Sequence, residues 1–135
     1  MGRLTLSEVE SAERCFSVCH VLVIEDEPLI AEFVADIAER AGATSVAMAM
    51  TEAEAIAAAA TCLPDVILSD VNLKLGGTGP NAVEAIRLRH HTVPVIYITG
   101  TPEDCEPCDD AIAILSKPIQ PELVMAAFFR AYPQA

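Results

Sequence analysis

Four short apolar runs punctuate the chain: residues 21–24 (VLVI), 66–68 (VIL), 93–98 (VPVIYI) and 112–115 (IAIL). Runs of this length, bounded by turn residues, read as strands buried on both faces of a parallel sheet. Between them the apolar residues recur at helical spacing. After residues 25–27 (EDE), Pro28 suits a first helical turn, and Ile30, Phe33, Val34, Ile37, Ala38 and Ala41 form one amphipathic stripe. Gly42 is placed to end that helix, and a weak strand over about residues 44–48 follows. Thr51 and Glu54 have capping-box spacing and open an alanine-rich helix over 51–61, which Pro64 and Asp65 break. A glycine-bearing loop over 72–79 leads to a helix that Pro80 starts and that ends near Arg89. The last helix covers about 121–131, with Val124, Ala127, Phe128 and Ala131 on one stripe and Met125 and Phe129 off it.

Two segments break the alternation. Residues 101–110 carry two prolines and no apolar stripe, which predicts a loop or a broken turn instead of a crossover helix. Residues 1–19 stand before the first strand as an extension to the main domain, 20–135. Ser7 and Glu10 have capping-box spacing there, and Val9, Ala12, Phe16 and Cys19 recur at helical intervals. A short docking helix and a loosely ordered leader are both compatible with that pattern. The remaining β-α repeats predict an α/β fold, a parallel sheet with helices on both faces.

Parallel strands present their C-terminal ends together. The first run ends in Glu25 and Asp26, the second in Ser69 and Asp70, the third in Thr99 and the fourth in Ser116 and Lys117. One sheet edge therefore collects three carboxylates, a hydroxyl and a lysine. Any one of these residues alone reads as a turn or cap residue. Independent caps have no reason to fall on four strand ends together, and three gathered carboxylates repel unless a cation compensates. The set points to a divalent cation and phosphoryl chemistry.

Composition narrows the classes. The chain has 135 residues, 53% of them hydrophobic, enough for one full core, and no apolar stretch long enough to cross a bilayer. Glu8, Glu10 and Glu13 occupy the place where a signal peptide would be basic and then apolar, so a cytoplasmic protein is expected. Twenty acidic residues against eight basic ones give a formal charge of -12, which argues against a nucleic-acid surface. Five cysteines without a secretory signal predict reduced thiols. Cys105 and Cys108 have redox or zinc spacing, but zinc would need two further ligands and the acidic neighbours disfavour a reactive thiolate. His90 and His91 read as an exposed helix end.

The segments VLVIEDEPLI, VILSDVNL, VIYITGT and ILSKPI, in this order and spacing, resemble the response-regulator receiver domain over residues 20–131. That resemblance implies a flavodoxin-like, doubly wound five-stranded sheet of order 2-1-3-4-5 with a short or irregular fourth helix. It implies that Asp70 accepts a phosphoryl group, with Thr99 and Lys117 contacting that group. It implies Mg2+ held by Glu25, Asp26, Asp70 and the backbone carbonyl of Asn72, and a cis Lys117–Pro118 bond. The partner implied is a sensor histidine kinase or a histidine phosphotransfer protein.

Three features depart from the family pattern. Ile114 stands where most receivers have an aromatic residue, three positions before the lysine, with Tyr97 as a potential substitute. Lys74 stands where most have proline, and the interval from Thr99 to Lys117 is short. The expectation is a stand-alone receiver whose output is protein contact or onward transfer, with no metabolic turnover. Phe129 either rims the core or marks a homodimer or docking face. The competing readings are a phosphorylation-independent binding module and a small aspartyl-phosphate phosphatase. The latter is disfavoured because position 72, where its acid/base Asp would stand, is Asn.

Overall fold

The computed structural model describes residues 18–89, 92–105, 108 and 110–133. The expectations for residues 1–17 and for His90 and His91 lie outside these. Five strands, β1 (His20–Ile24), β2 (Ser45–Ala49), β3 (Val66–Ser69), β4 (Val95–Thr99) and β5 (Ala113–Ser116), form one sheet. Its order is β2-β1-β3-β4-β5 and every pairing is parallel. The helices are α1 (Pro28–Ala41), α2 (Glu52–Thr61), α3 (Gly79–Arg87) and α4 (Pro121–Ala131). This is the flavodoxin-like fold expected from the sequence. Among the described residues between β4 and β5 the helical piece is a three-residue 3-10 turn, Pro102–Asp104, matching the irregular segment expected there.

Strand periodicity divides the core into two layers. Val21, Val23, Val66, Leu68, Ile96 and Ile98 face α1 and α4, where Phe128 is fully buried. Leu22, Ile24, Ile67, Val95 and Tyr97 face Ala55 and Ala59 of α2 and Ala82, Val83 and Ile86 of α3. Successive side chains of each central strand thus enter opposite layers, which is why these runs are apolar without alternation.

The α1 stripe differs from the expected one. Ala31 and Ala35 are buried, whereas Phe33 is 47% exposed. Alanines let the helix lie close to the sheet, and the larger Phe33 is rotated to the rim. Phe129 of α4 is 43% exposed and packs edge-on against Phe128.

Helix α2 starts as its capping box predicts. The Thr51 hydroxyl accepts the Glu54 N–H at 3.1 Å, and the Glu54 carboxylate accepts the Met50 N–H at 3.0 Å. Thr51→Ala removes the first of these bonds and is expected to cost about 1 kcal/mol in urea denaturation. A loss below a few tenths would mean that the cap is idle.

The reduced-thiol expectation requires correction. Cys105 and Cys108 form a disulfide, with Cα atoms 5.6 Å apart, while Cys19 and Cys62 are buried. Spacing alone left the pairing open, because bonding depends on how the crossover folds its two cysteines onto the sheet. Burial pushes the Cys19 thiol up to about 11.

Candidate functional site

The strand order reverses direction between β1 and β3, and a crevice opens there at the carboxyl ends of the strands. The hydrogen-bond ladder runs one residue past each strand and fixes what lines the crevice. Glu25 N–H donates to Ala49 O at 2.9 Å, Asp70 N–H to Ile24 O at 2.9 Å, and Lys117 N–H to Thr99 O at 2.9 Å. Backbone bonds of sheet quality thus place the first carboxylate, the second and the lysine at one rim.

Side chains converge from there. Carboxylate oxygens of Glu25, Asp26 and Asp70 all lie within 4.8 Å of one another. Lys117 reaches across from β5 and bridges two of them, with Nζ 2.8 Å from Glu25 Oε1 and 3.0 Å from Asp70 Oδ2. Asp70 Oδ1 accepts the Val71 N–H at 2.7 Å, so both of its oxygens are held. Asp26 Oδ2 accepts the Lys74 N–H at 2.7 Å, which ties the loop after β3 to the site. Position 74 lacks the proline common in receivers, and its amide makes that bond. In the sequence Lys74 stands out only as a departure from the receiver pattern, because spacing carries no signal for a backbone contact.

Burial and pairing set the charges. The Glu25 carboxyl is pushed above its ordinary value mainly by burial; the Lys117 hydrogen bond opposes this and the Asp26 hydrogen bond adds to it. Burial also acts to raise Asp26, but its hydrogen bonds from Glu25 and the Lys74 amide outweigh burial and hold it below the usual range. Burial acts to lower Lys117, yet its bonds to Glu25 and Asp70 outweigh that, so its ammonium is held charged. The Lys117 ammonium thus faces Glu25 and Asp70, and the Glu25 carboxyl is shifted toward keeping its proton.

Thr99 is buried at 1% exposure, and its hydroxyl pairs with the next loop: it accepts the Thr101 N–H at 3.1 Å and lies 3.3 Å from Thr101 Oγ1. Asn72 turns its side-chain amide outward, donating to Thr101 Oγ1 at 2.9 Å and to Asp104 Oδ2 at 3.1 Å. The sequence carries no signal for these two acceptors, because residues 101–110 lack any periodic pattern.

Two glycines allow the close approach of this loop. Gly77 adopts a left-handed φ of 81°, and Gly79 begins α3 against the Asp70 carbonyl, where a Cβ would overlap that oxygen. Thr78 caps α3 by accepting the Asn81 N–H at 3.1 Å.

Ile114, in the position where receivers usually have an aromatic, is 40% exposed. Its register partner on β4 is Tyr97, which is buried at 3% and whose hydroxyl burial pushes up to about 12. The Lys117–Pro118 bond is cis.

A family profile described as the response regulator receiver domain matches residues 21–129. The phyllosphere-induced regulator PhyR of Methylorubrum extorquens is 36% identical over 114 residues, covering 82% of this chain and 42% of that protein. The chain therefore spans less than half the length of this curated relative. Among solved structures, the receiver domain of Erythrobacter litoralis PhyR is similar at 34% identity and a TM-score of 0.75, covering 87% of this chain and 95% of the other. The chemotaxis response regulator CheY4 of Vibrio cholerae matches at 30% identity and a TM-score of 0.72, covering 84% and 98%. With the sheet order, the strand-end carboxylates and the profile in agreement, the chain belongs to the response regulator receiver domain family.

Proposed function

We propose that Asp70 takes a phosphoryl group from a phosphohistidine on a sensor kinase or histidine phosphotransfer protein. The chain then acts as a switch through protein contact or onward transfer. The observation that carries this reading is the convergence of Glu25, Asp26 and Asp70 within 4.8 Å with Lys117 bridging two of them. In the transfer an Asp70 oxygen attacks phosphorus, the phosphorus–nitrogen bond breaks, and the imidazole leaves with that electron pair. Lys117 already contacts Asp70 Oδ2 and is placed to follow the charge onto the phosphoryl oxygens. Thr99 would give up its Thr101 contact to donate its hydroxyl to the same group, drawing the loop inward.

The donor set fits magnesium. Oxygens on one octahedral magnesium lie roughly 3–4 Å apart, and the three carboxylates are within 4.8 Å before any closure. Glu25, Asp26, Asp70 and the Asn72 carbonyl would hold the ion, Glu25 through a water. Bound there, it would offset the charge of the incoming phosphoryl group. Loss of the phosphoryl group to water resets the switch without turning over a metabolite.

Acetyl phosphate with magnesium is expected to add one phosphoryl group to the intact chain, read by mass spectrometry. Chelating the metal should cut the initial rate at least about tenfold. Unchanged uptake after chelation would remove the cation from the reading. No described helix is long and apolar enough to cross a membrane.

A further inference from the structure

Among the described residues of the crossover from β4 to β5 the helical piece is one short 3-10 turn, so something else must hold it on the sheet. Its 3-10 turn buries none of its own residues. The buried anchors on this stretch are Cys105 and Cys108, 5% and 6% exposed, packed in the layer that contains Tyr97, Val95 and Ile86. The disulfide between them therefore fills the place of the apolar stripe of a helix.

The same short stretch reaches the phosphoryl site. Cys105 N–H donates to Pro102 O at 3.1 Å and Asp104 N–H to Thr101 O at 2.9 Å, so the cystine is continuous with a closed turn. From that turn Thr101 and Asp104 accept both bonds of the Asn72 amide, two residues beyond Asp70. Thr101 also donates its N–H to Thr99. On the other side, Ala111 N–H donates to Cys108 O at 3.1 Å, and Asp110 pairs with Arg87 of α3.

We propose that Cys105–Cys108 is a redox site that exchanges with a dithiol reductant and sets the order of this crossover and, through Asn72, of the loop after Asp70. In the exchange the Cys105–Cys108 bond breaks and a disulfide forms in the reductant; two electrons and two protons end on the two cysteine sulfurs. The bond tying Cys105 to Cys108 is then lost, and two small thiols remain at the buried anchor points. Disulfides in a reducing compartment are usually transient or redox-sensing, which suits a closure of this kind. The consequence for phosphoryl transfer rests on Asp70 being the acceptor; the loop ordering does not.

The test uses the full chain in oxidised form, with dithiothreitol, and as the Cys105→Ser/Cys108→Ser variant. Differential alkylation reads the bond, and amide hydrogen exchange reads the loops. Reduction should speed exchange over residues 71–73 and 99–105 about tenfold or more. The variant should match the reduced protein and ignore dithiothreitol; if it does not fold, reduced wild type carries the comparison. Phosphoryl uptake from acetyl phosphate should differ severalfold between redox states. Absence of the bond under non-reducing conditions, or equal exchange at 71–73 in both states, overturns the proposal. If exchange changes but neither form is labelled, the redox site stands and the phosphoacceptor reading fails.

Discussion

Asp70→Asn is expected to take up no phosphoryl group from acetyl phosphate or phosphoramidate under conditions in which the wild-type chain gains one. On the proposed reading the carboxylate is the nucleophile, and an amide nitrogen, with its lone pair delocalised, cannot replace it. The substitution keeps the side-chain shape. Its oxygen can still accept the Val71 N–H that Oδ1 now accepts at 2.7 Å. Lys117 loses one partner but retains Glu25 at 2.8 Å. Removing one of three crowded carboxylates also relieves repulsion, so the melting temperature should move by only a few degrees. Loss of uptake with an intact fold thus isolates the acceptor. Equal labelling of both proteins would displace Asp70 from its role. If the wild type is not labelled either, a binding module that ignores phosphorylation becomes the better reading.

Much of this was legible in the chain itself, for a physical reason. Strand ends and helix starts are local: Pro121 and the stripe from Val124 to Ala131 bound α4 as observed, and Thr51 with Glu54 opens α2. The rim residues were legible because a parallel sheet converts sequence order into spatial neighbourhood. What stayed hidden is what depends on distance between remote segments. The Lys117–Glu25 pair joins residues 92 positions apart, and Lys74 acts through its backbone. Asp65 resembled a turn residue, but it accepts the His20 N–H at 2.8 Å and so completes the start of β1. Phe33 is a related case: helical spacing in α1 fits more than one face, and close packing on the sheet selects the one with Ala31 and Ala35.

Lys117→Ala should be the most destabilising change at the rim when no cation is supplied. Glu25 and Asp70 side chains are 4% and 11% exposed, and Lys117 is the cation bridging them. Removing one member of a buried ion pair costs of order 3 kcal/mol because the remaining charges lack compensation. The deficit should depend on pH with a definite sign. Glu25 already sits above its ordinary value of 4.5 through burial, with Lys117 opposing the rise; without Lys117 it rises further. A carboxyl raised in the folded state contributes stability that is fully present below its unfolded value. That contribution is lost as pH rises through the folded value. The gap between variant and wild type should therefore be small near the ordinary glutamate value of 4.5 and wider at neutral pH. Asp26 works oppositely, since its lowered value adds stability that disappears as pH falls through it. That contribution exists in both proteins and largely cancels in the difference. Magnesium should then restore the variant more than it stabilises wild type, because in wild type the ammonium competes for Glu25 and Asp70. At a hundredfold excess over its dissociation constant a ligand contributes about 2.7 kcal/mol, comparable with the expected deficit. Urea denaturation at the two pH values, with and without magnesium, reads all three effects. A pH-independent deficit, or one that magnesium leaves untouched, would mean that Lys117 supports the fold by packing and not by neutralising the carboxylates.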